Sequence, residues 1–176
     1  MFKAHEFMRV RMAYYATTLF IVVPALWISL SFKPWGKVSG NDRSIKFIRA
    51  SHVWFVLSLL MLALEPWYNR ATGQAFSHAY HGAMTHALTV GFVSMSILGV
   101  GAKVVANLNG EDTAKLSKLW LVFALINVGC GLRVLNQVLT DFAPASFNTL
   151  GVSGVLILAG LVLWALHVAS LMYRRQ

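Results

Sequence analysis

Three of the six histidines crowd into one short stretch, "HAYHGAMTH", immediately ahead of an apolar run. Neutral imidazole is a ligand for iron, copper and zinc, so His78, His81 and His86 are the first residues here whose type and spacing could bind a metal. Helical geometry limits how they can share one. At 3.6 residues per turn His78 and His81 differ by about 60°, whereas His81 and His86 differ by about 140°. A straight helix cannot aim His81 and His86 at one ion. Either Gly82 marks an irregular turn that re-aims the first two, or His86 serves a separate site. An HxxH spacing by itself is weakly specific, because a histidine at a helix end is more often a hydrogen-bonded interfacial residue, and His5 is read that way. Thr85 and Thr89 flank the same region.

Two further histidines stand on other apolar segments. His52 follows "RSIKFIRAS" and His167 lies in the last third of the final segment, at a comparable depth. Two neutral imidazoles facing each other across a gap are what a six-coordinate b-type haem requires; two unrelated buried histidines are the competing reading. Arg133, in "NVGCGLRVLNQVL", is the clearest ionisable residue inside an apolar run, where charge is costly and marks a partner, a cofactor or a cavity. Cys130, Arg133 and Gln137 share one helical face, with Asn127 and Asn136 beside it. Arg133 has three possible fates: an ion pair with Glu65, a hold on an anionic group such as a haem propionate, or snorkelling to the surface.

These residues need apolar helices to position them. The 176-residue chain is 57% hydrophobic and 12% charged, and its mean hydropathy is +0.63, the composition of an integral membrane protein. Five crossings are expected, at about 13–32, 47–67, 80–106, 119–140 and 148–172, each near the roughly 20 residues a bilayer requires. They make one all-α transmembrane domain over residues 1–176, a bundle of about five helices. Pro24 should kink the first helix. The basic, apolar N-terminus imitates a secretory signal, but it lacks a small-x-small cleavage site and is read as a retained first helix. "KPWGKVSGNDRSIK", "EPWYNRATGQ", "NLNGEDTAK" and "TDFAPAS" separate the helices. In the third, Ala83, Ala87, Gly91 and Ser94 form a small-residue stripe suited to close helix packing, with Gly91 also able to leave room for a flat macrocycle.

The net charge of +9 resides mainly in loops and tails, where it orients helices and meets anionic lipid; no aromatic-interleaved basic stretch suggests nucleic acid. Lys33, Lys37, Arg43, Lys46, Arg49, Lys103, Lys115, Lys118, Arg174 and Arg175 fall on one side, against Lys3, Arg9, Arg11 and Arg70 on the other. The positive-inside rule places the first loop, the third loop and the C-terminus in the cytoplasm. Paired carboxylates, a phosphate loop and an internal repeat are all missing, so nothing points to hydrolysis, phosphoryl transfer or transport. Cys130, alone of its kind, cannot form an intrachain disulfide.

"HALTVGFVSMSILGVGAKVV", then a helix carrying "GLRVL" and a last helix ending "LMYRR", resemble the C-terminal half of the NnrS family of haem- and copper-containing membrane proteins, over roughly residues 80–173. That family's helix opens with an HALTVGA-like run and ends near a basic residue, here Lys103; a later helix holds an Arg in an LLRVL-like context, here Arg133. The family's His-Thr-Gly-Arg signature is replaced by "ANLNGEDTAK", and "KAHEF" only faintly echoes its HAHEM motif. The resemblance implies haem b, copper as a second metal, and a link to nitric oxide or nitrogen-oxide respiration in a bacterial inner membrane. It implies His86 as the iron ligand, His81, His78 or another helix as the source of a second, and Arg133 as support. A b-type cytochrome subunit using His52 and His167 and exchanging electrons with quinone is the alternative. A cofactor-free accessory subunit of a membrane respiratory complex is a third reading. The expected partners are the lipid bilayer, other membrane subunits or further copies of the chain, and quinone or a diatomic gas.

Overall fold

The computed structural model describes residues 2–37, 42–112 and 119–173, with side chains from residue 12 onward. Lys3, His5, Arg9 and Arg11 therefore have no described side chains, and Lys115, Lys118, Arg174 and Arg175 lie outside the described residues. The chain folds as α1 (Phe2–Ser31), α2 (Ile45–Thr72), α3 (His78–His86), a π-helical segment (Ala87–Ser94), α4 (Met95–Leu108), α5 (Trp120–Thr140), a short 3₁₀ turn (Pro144–Thr149) and α6 (Leu150–Tyr173). The stretch from α3 to α4 is one continuous rod, so among the described residues five helices are long and apolar enough to span a membrane.

The rods present their large apolar side chains outward. Phe20, Trp27, Leu64, Leu121, Val155 and Leu166 are all exposed, as befits helices solvated by lipid, where burying Leu inside the protein offers no hydrophobic gain. What packs inside is small. Ala83, Ala87, Ala102 and Ala106 are fully buried, and a Cβ added to Gly160 or Gly129 would come within 2.6 Å of Ile126 and 2.8 Å of Ile157 respectively. Those two glycines let α5 and α6 approach closely. The expected stripe on the third span packs in the same way: Ala83, Ala87 and Gly91 are buried, and the flat ring lying against Gly91 is the Trp54 indole.

α5 packs along α6 and against α3; α2 packs on the π segment and α4, and α1 packs mainly on α2. Two polar knots tie the ends of the bundle. At one, Lys103 Nζ donates to Asp42 Oδ2 at 2.9 Å, and Arg49 donates to the carbonyls of Pro34 (3.2 Å) and Gly36 (2.9 Å). At the other, Asp141 accepts from Tyr68 Oη at 2.9 Å, from Gln74 Nε2 at 3.4 Å and from Ser77 Oγ.

One expectation is corrected, and one of two open alternatives is removed. "EPWYNRATGQ" does not separate the second and third spans, because α2 runs through Pro66 to Thr72. It stops at Gly73, whose φ of 70° closes the helix with its N–H on Arg70 O and that of Gln74 on Asn69 O, a Schellman ending that favours glycine. Nor does Gly82 break the third span. α3 is regular through His86, and the irregular, wider turn begins at Ala87.

Candidate functional site

Extending α2 past Pro66 carries Glu65 from a helix end into the protein. Its side chain is only 5% exposed, so its charge needs partners. Tyr14 Oη on α1 donates to Oε2 at 2.8 Å, and His81 Nδ1 on α3 lies 3.2 Å from Oε1. Several contacts fix α3 in the position that makes this possible. Ser77 caps its first turn by accepting from the Tyr80 N–H at 2.9 Å. Tyr80, one residue before His81, donates its hydroxyl to Met61 O at 2.9 Å and stacks on Tyr68 with ring centroids 4.1 Å apart. The imidazole is thus placed from both sides of the α2–α3 turn.

Beyond Glu65 opens a cavity of about 720 Å³, walled by Tyr14, Tyr15, Leu62, Phe76, Arg70 and His81, among others. His81 is 46% exposed at the side chain. With Nδ1–H directed at the carboxylate, the neutral ring would keep a lone pair on Nε2, the atom able to act as an acceptor or metal ligand. His78 takes no part in this wall. It packs edge-on against Phe76 at 4.9 Å, while His81 lies against the same ring at 5.2 Å.

His86 is arranged differently. Its Nδ1 is 2.9 Å from Gly82 O; a carbonyl only accepts, so Nδ1 carries a proton, and in the neutral ring Nε2 is the bare nitrogen. Cys130 Sγ on α5 lies 3.8 Å from the backbone carbonyl of His86, so the α3 backbone at His86 runs beside α5. His52 repeats the pattern, with Nδ1 2.8 Å from Ile48 O, and lines a groove facing α1. His167 sits on α6, which packs on α5 and α4.

The stripe on α5 is divided between two neighbours. Cys130 meets α3 at His86, and Gln137 Nε2 comes within 3.0 Å of where a Gly82 Cβ would stand. Arg133 turns instead toward α6 and donates Nη1–H to Leu150 O at 3.1 Å. The ion pair considered for Arg133 and Glu65 does not form, because Tyr14 and His81 occupy that carboxylate. Arg133 Nε and Gln137 Oε1 are buried without a partner among the described residues. Among those same residues, no three His, Cys, Asp or Glu side chains group as a metal site.

Sequence reasoning paired neither Glu65 with His81 nor either with Tyr14. A usable signal was present: Glu65 and His81 lie on consecutive helices either side of the short Gly73–Ser77 turn, where antiparallel neighbours meet.

The fold and these contacts define a five-span membrane protein with a buried carboxylate, paired to a half-exposed imidazole, on the wall of an interhelical cavity. The sequence matches the family described as NnrS protein over residues 3–176, and the chain belongs to that family. The match includes α1 and α2, well beyond the C-terminal half that carried the resemblance. Membership is consistent with a nitric-oxide-related membrane protein. Comparison with curated proteins gave no match, and comparison with solved structures gave none.

Proposed function

We propose that this chain binds haem in a bacterial inner membrane and serves nitric oxide or nitrogen-oxide respiration, with His81 as the iron ligand. One observation carries this: His81 lines the 720 Å³ cavity with its Nδ1 on buried Glu65. A ligating histidine commonly directs its other nitrogen to a carboxylate or carbonyl, which fixes the ring and raises its basicity. Pockets for organic cofactors span about 300–1,000 Å³, and this one is of that scale. Haem also suits the donor set better than copper does, since it asks the protein for one or two imidazoles rather than a cluster.

His81 would hold the iron, Glu65 would orient His81, and Arg70 on the same wall would face a propionate, the role the sequence suggested for Arg133. Haem with one protein ligand supplies an iron site for a diatomic gas; with two, it passes electrons. Tyr14, Tyr15 and Phe76 would give the macrocycle an aromatic wall.

The test is a reduced-minus-oxidised optical spectrum of protein purified after full haem supply, with and without carbon monoxide or nitric oxide. Loss of the haem bands in His81→Ala with retention in His86→Ala is the expected result. Loss in His86→Ala alone would move the ligand to His86. No bands in the wild-type protein would end the haem reading.

A further inference from the structure

Away from Glu65, at the end of the bundle carrying Lys103 and Asp42, a second recess opens sideways between α1, α2 and the π segment. It consists of a cavity of about 470 Å³ next to the first loop and one of about 280 Å³ deeper along α1, which share Phe32, His52 and Phe92. Its walls are aromatic. Phe55 and Phe92 lie 4.5 Å apart at 35°, and the His52 ring stands 6.1 Å from Phe92. Ala25 and Ile28 continue the apolar lining along α1.

Two polar side chains, His52 and Ser29, interrupt the lining of the deeper cavity. His52 directs its Nδ1–H to Ile48 O at 2.8 Å, so the neutral ring keeps a bare Nε2 as a hydrogen-bond acceptor. Ser29 is 4% exposed, lines the deeper cavity, and its Oγ has no hydrogen-bond partner among the described residues. Ser31 and Thr17, also on α1, find a carbonyl one turn back, at Trp27 O and Ala13 O respectively. Ser29 does not, and an unused buried hydroxyl in an apolar medium is costly. A ligand oxygen would relieve it.

We propose that this groove binds the ring of a lipid-soluble quinol or quinone. A flat ring matches the aromatic walls, one ring oxygen would accept from Ser29 Oγ–H, a quinol hydroxyl would donate to His52 Nε2, and an isoprenoid tail would follow Ala25 and Ile28 into lipid. The other lipid-soluble occupant is an anionic phospholipid, whose headgroup would sit at Lys33 and Lys37 on the mouth of the upper cavity. The ester carbonyls below such a headgroup would accept from Ser29 but bring no donor to His52 Nε2, whereas a quinol hydroxyl does, and the quinol is favoured for that reason. The site stands apart from His81 and does not depend on the haem reading.

The experiment is equilibrium binding of a short-tailed benzoquinol and naphthoquinol to the full chain in nanodiscs of zwitterionic lipid, and again with anionic lipid added. Saturable binding is expected. Ser29→Ala should weaken it about threefold to tenfold, the scale of one net hydrogen bond. His52→Phe should weaken it at least as much, and His52→Gln, which keeps an acceptor, should restore part of the loss. Elution volume and far-ultraviolet circular dichroism equal to wild type establish that each variant is folded. Absence of saturable binding, or affinities unchanged in both Ser29→Ala and His52→Phe, would overturn the proposal. So would displacement by anionic lipid that Lys33→Ala with Lys37→Ala abolishes and His52→Phe leaves intact.

Discussion

At the scale of single residues, Glu65 matters most, because its two carboxylate oxygens are divided between α1 and α3. If it orients His81 for a cofactor, Glu65→Ala should reduce haem retention by about 10- to 100-fold, the usual effect of removing such a partner from a ligating histidine. Glu65→Gln keeps a carbonyl oxygen for Tyr14 or for the imidazole and should lose less. The haem-to-protein ratio of the purified variants decides this. Equal retention in Glu65→Ala and wild type would show that the carboxylate does not orient the ligand. The pair was hard to find in the sequence for a physical reason. Arg133 and His81 were both available to Glu65, and which of them reaches it depends on the rotation of α2 and α5 about their axes. A regular apolar pattern leaves that rotation undetermined, and here Leu150 O settles Arg133 toward α6.

At the scale of elements, all five spans were legible, since each needs only a long run of apolar residues. The π segment was not. "ALTVGFVS" is unremarkable as a helix-forming run, although it winds as a π helix from Ala87 to Ser94, with Gly91 against α2. A Cβ at Gly91 would stand 2.4 Å from Trp54 Cγ, and Trp54 is itself anchored by donating Nε1–H to Asn127 Oδ1 at 2.9 Å. The indole cannot yield without losing that bond. Gly91→Ala should therefore destabilise the fold by about 1–3 kcal/mol, the usual effect of overpacking, read as a lowered thermal midpoint in detergent. Gly154→Ala, with nothing within 4 Å of the added methyl, should leave the midpoint unchanged or slightly raised. Similar drops in both would mean that Gly91 owes its place to something other than Trp54.

The turn into α2 adds a pH dependence. Burial by itself would raise the Asp42 carboxyl, but hydrogen bonds from Ser44 and Lys103 outweigh it and hold the pKa below the usual carboxylate value. A depressed folded-state pKa contributes stability that is present above the unfolded value of 3.8 and is lost as pH falls through the folded one. The thermal midpoint of the wild type should fall over that acid range. Asp42→Asn should lower the midpoint at neutral pH and flatten the acid limb, and an unchanged limb would assign it to other carboxylates.

At the scale of the whole molecule, the two polar knots settle which ends lie together. The Asp42–Lys103 pair ties the first loop to the end of the third span, and Leu171 near the end of α6 packs on Ala106 of α4. The C-terminal end of α6 therefore shares a face with Lys33, Lys37, Arg43, Lys46, Arg49 and Lys103, whereas Arg70 lies at the opposite end with Glu65 and Asp141. Basic residues accumulate on cytoplasmic ends, so this face should be cytoplasmic, with the Glu65–His81 cavity opening toward the other side of the membrane. A fluorescent protein fused after the last residue should fluoresce in a bacterial host, and alkaline phosphatase fused at the same point should be inactive. A phosphatase inserted at Gln74, in the turn beside the cavity, should be active. The reverse pattern would invert the molecule and place the cavity on the cytoplasmic side. The two outcomes carry different chemistry, because the side on which the cavity opens decides whether a ligand reaches His81 from outside the cell or from within it.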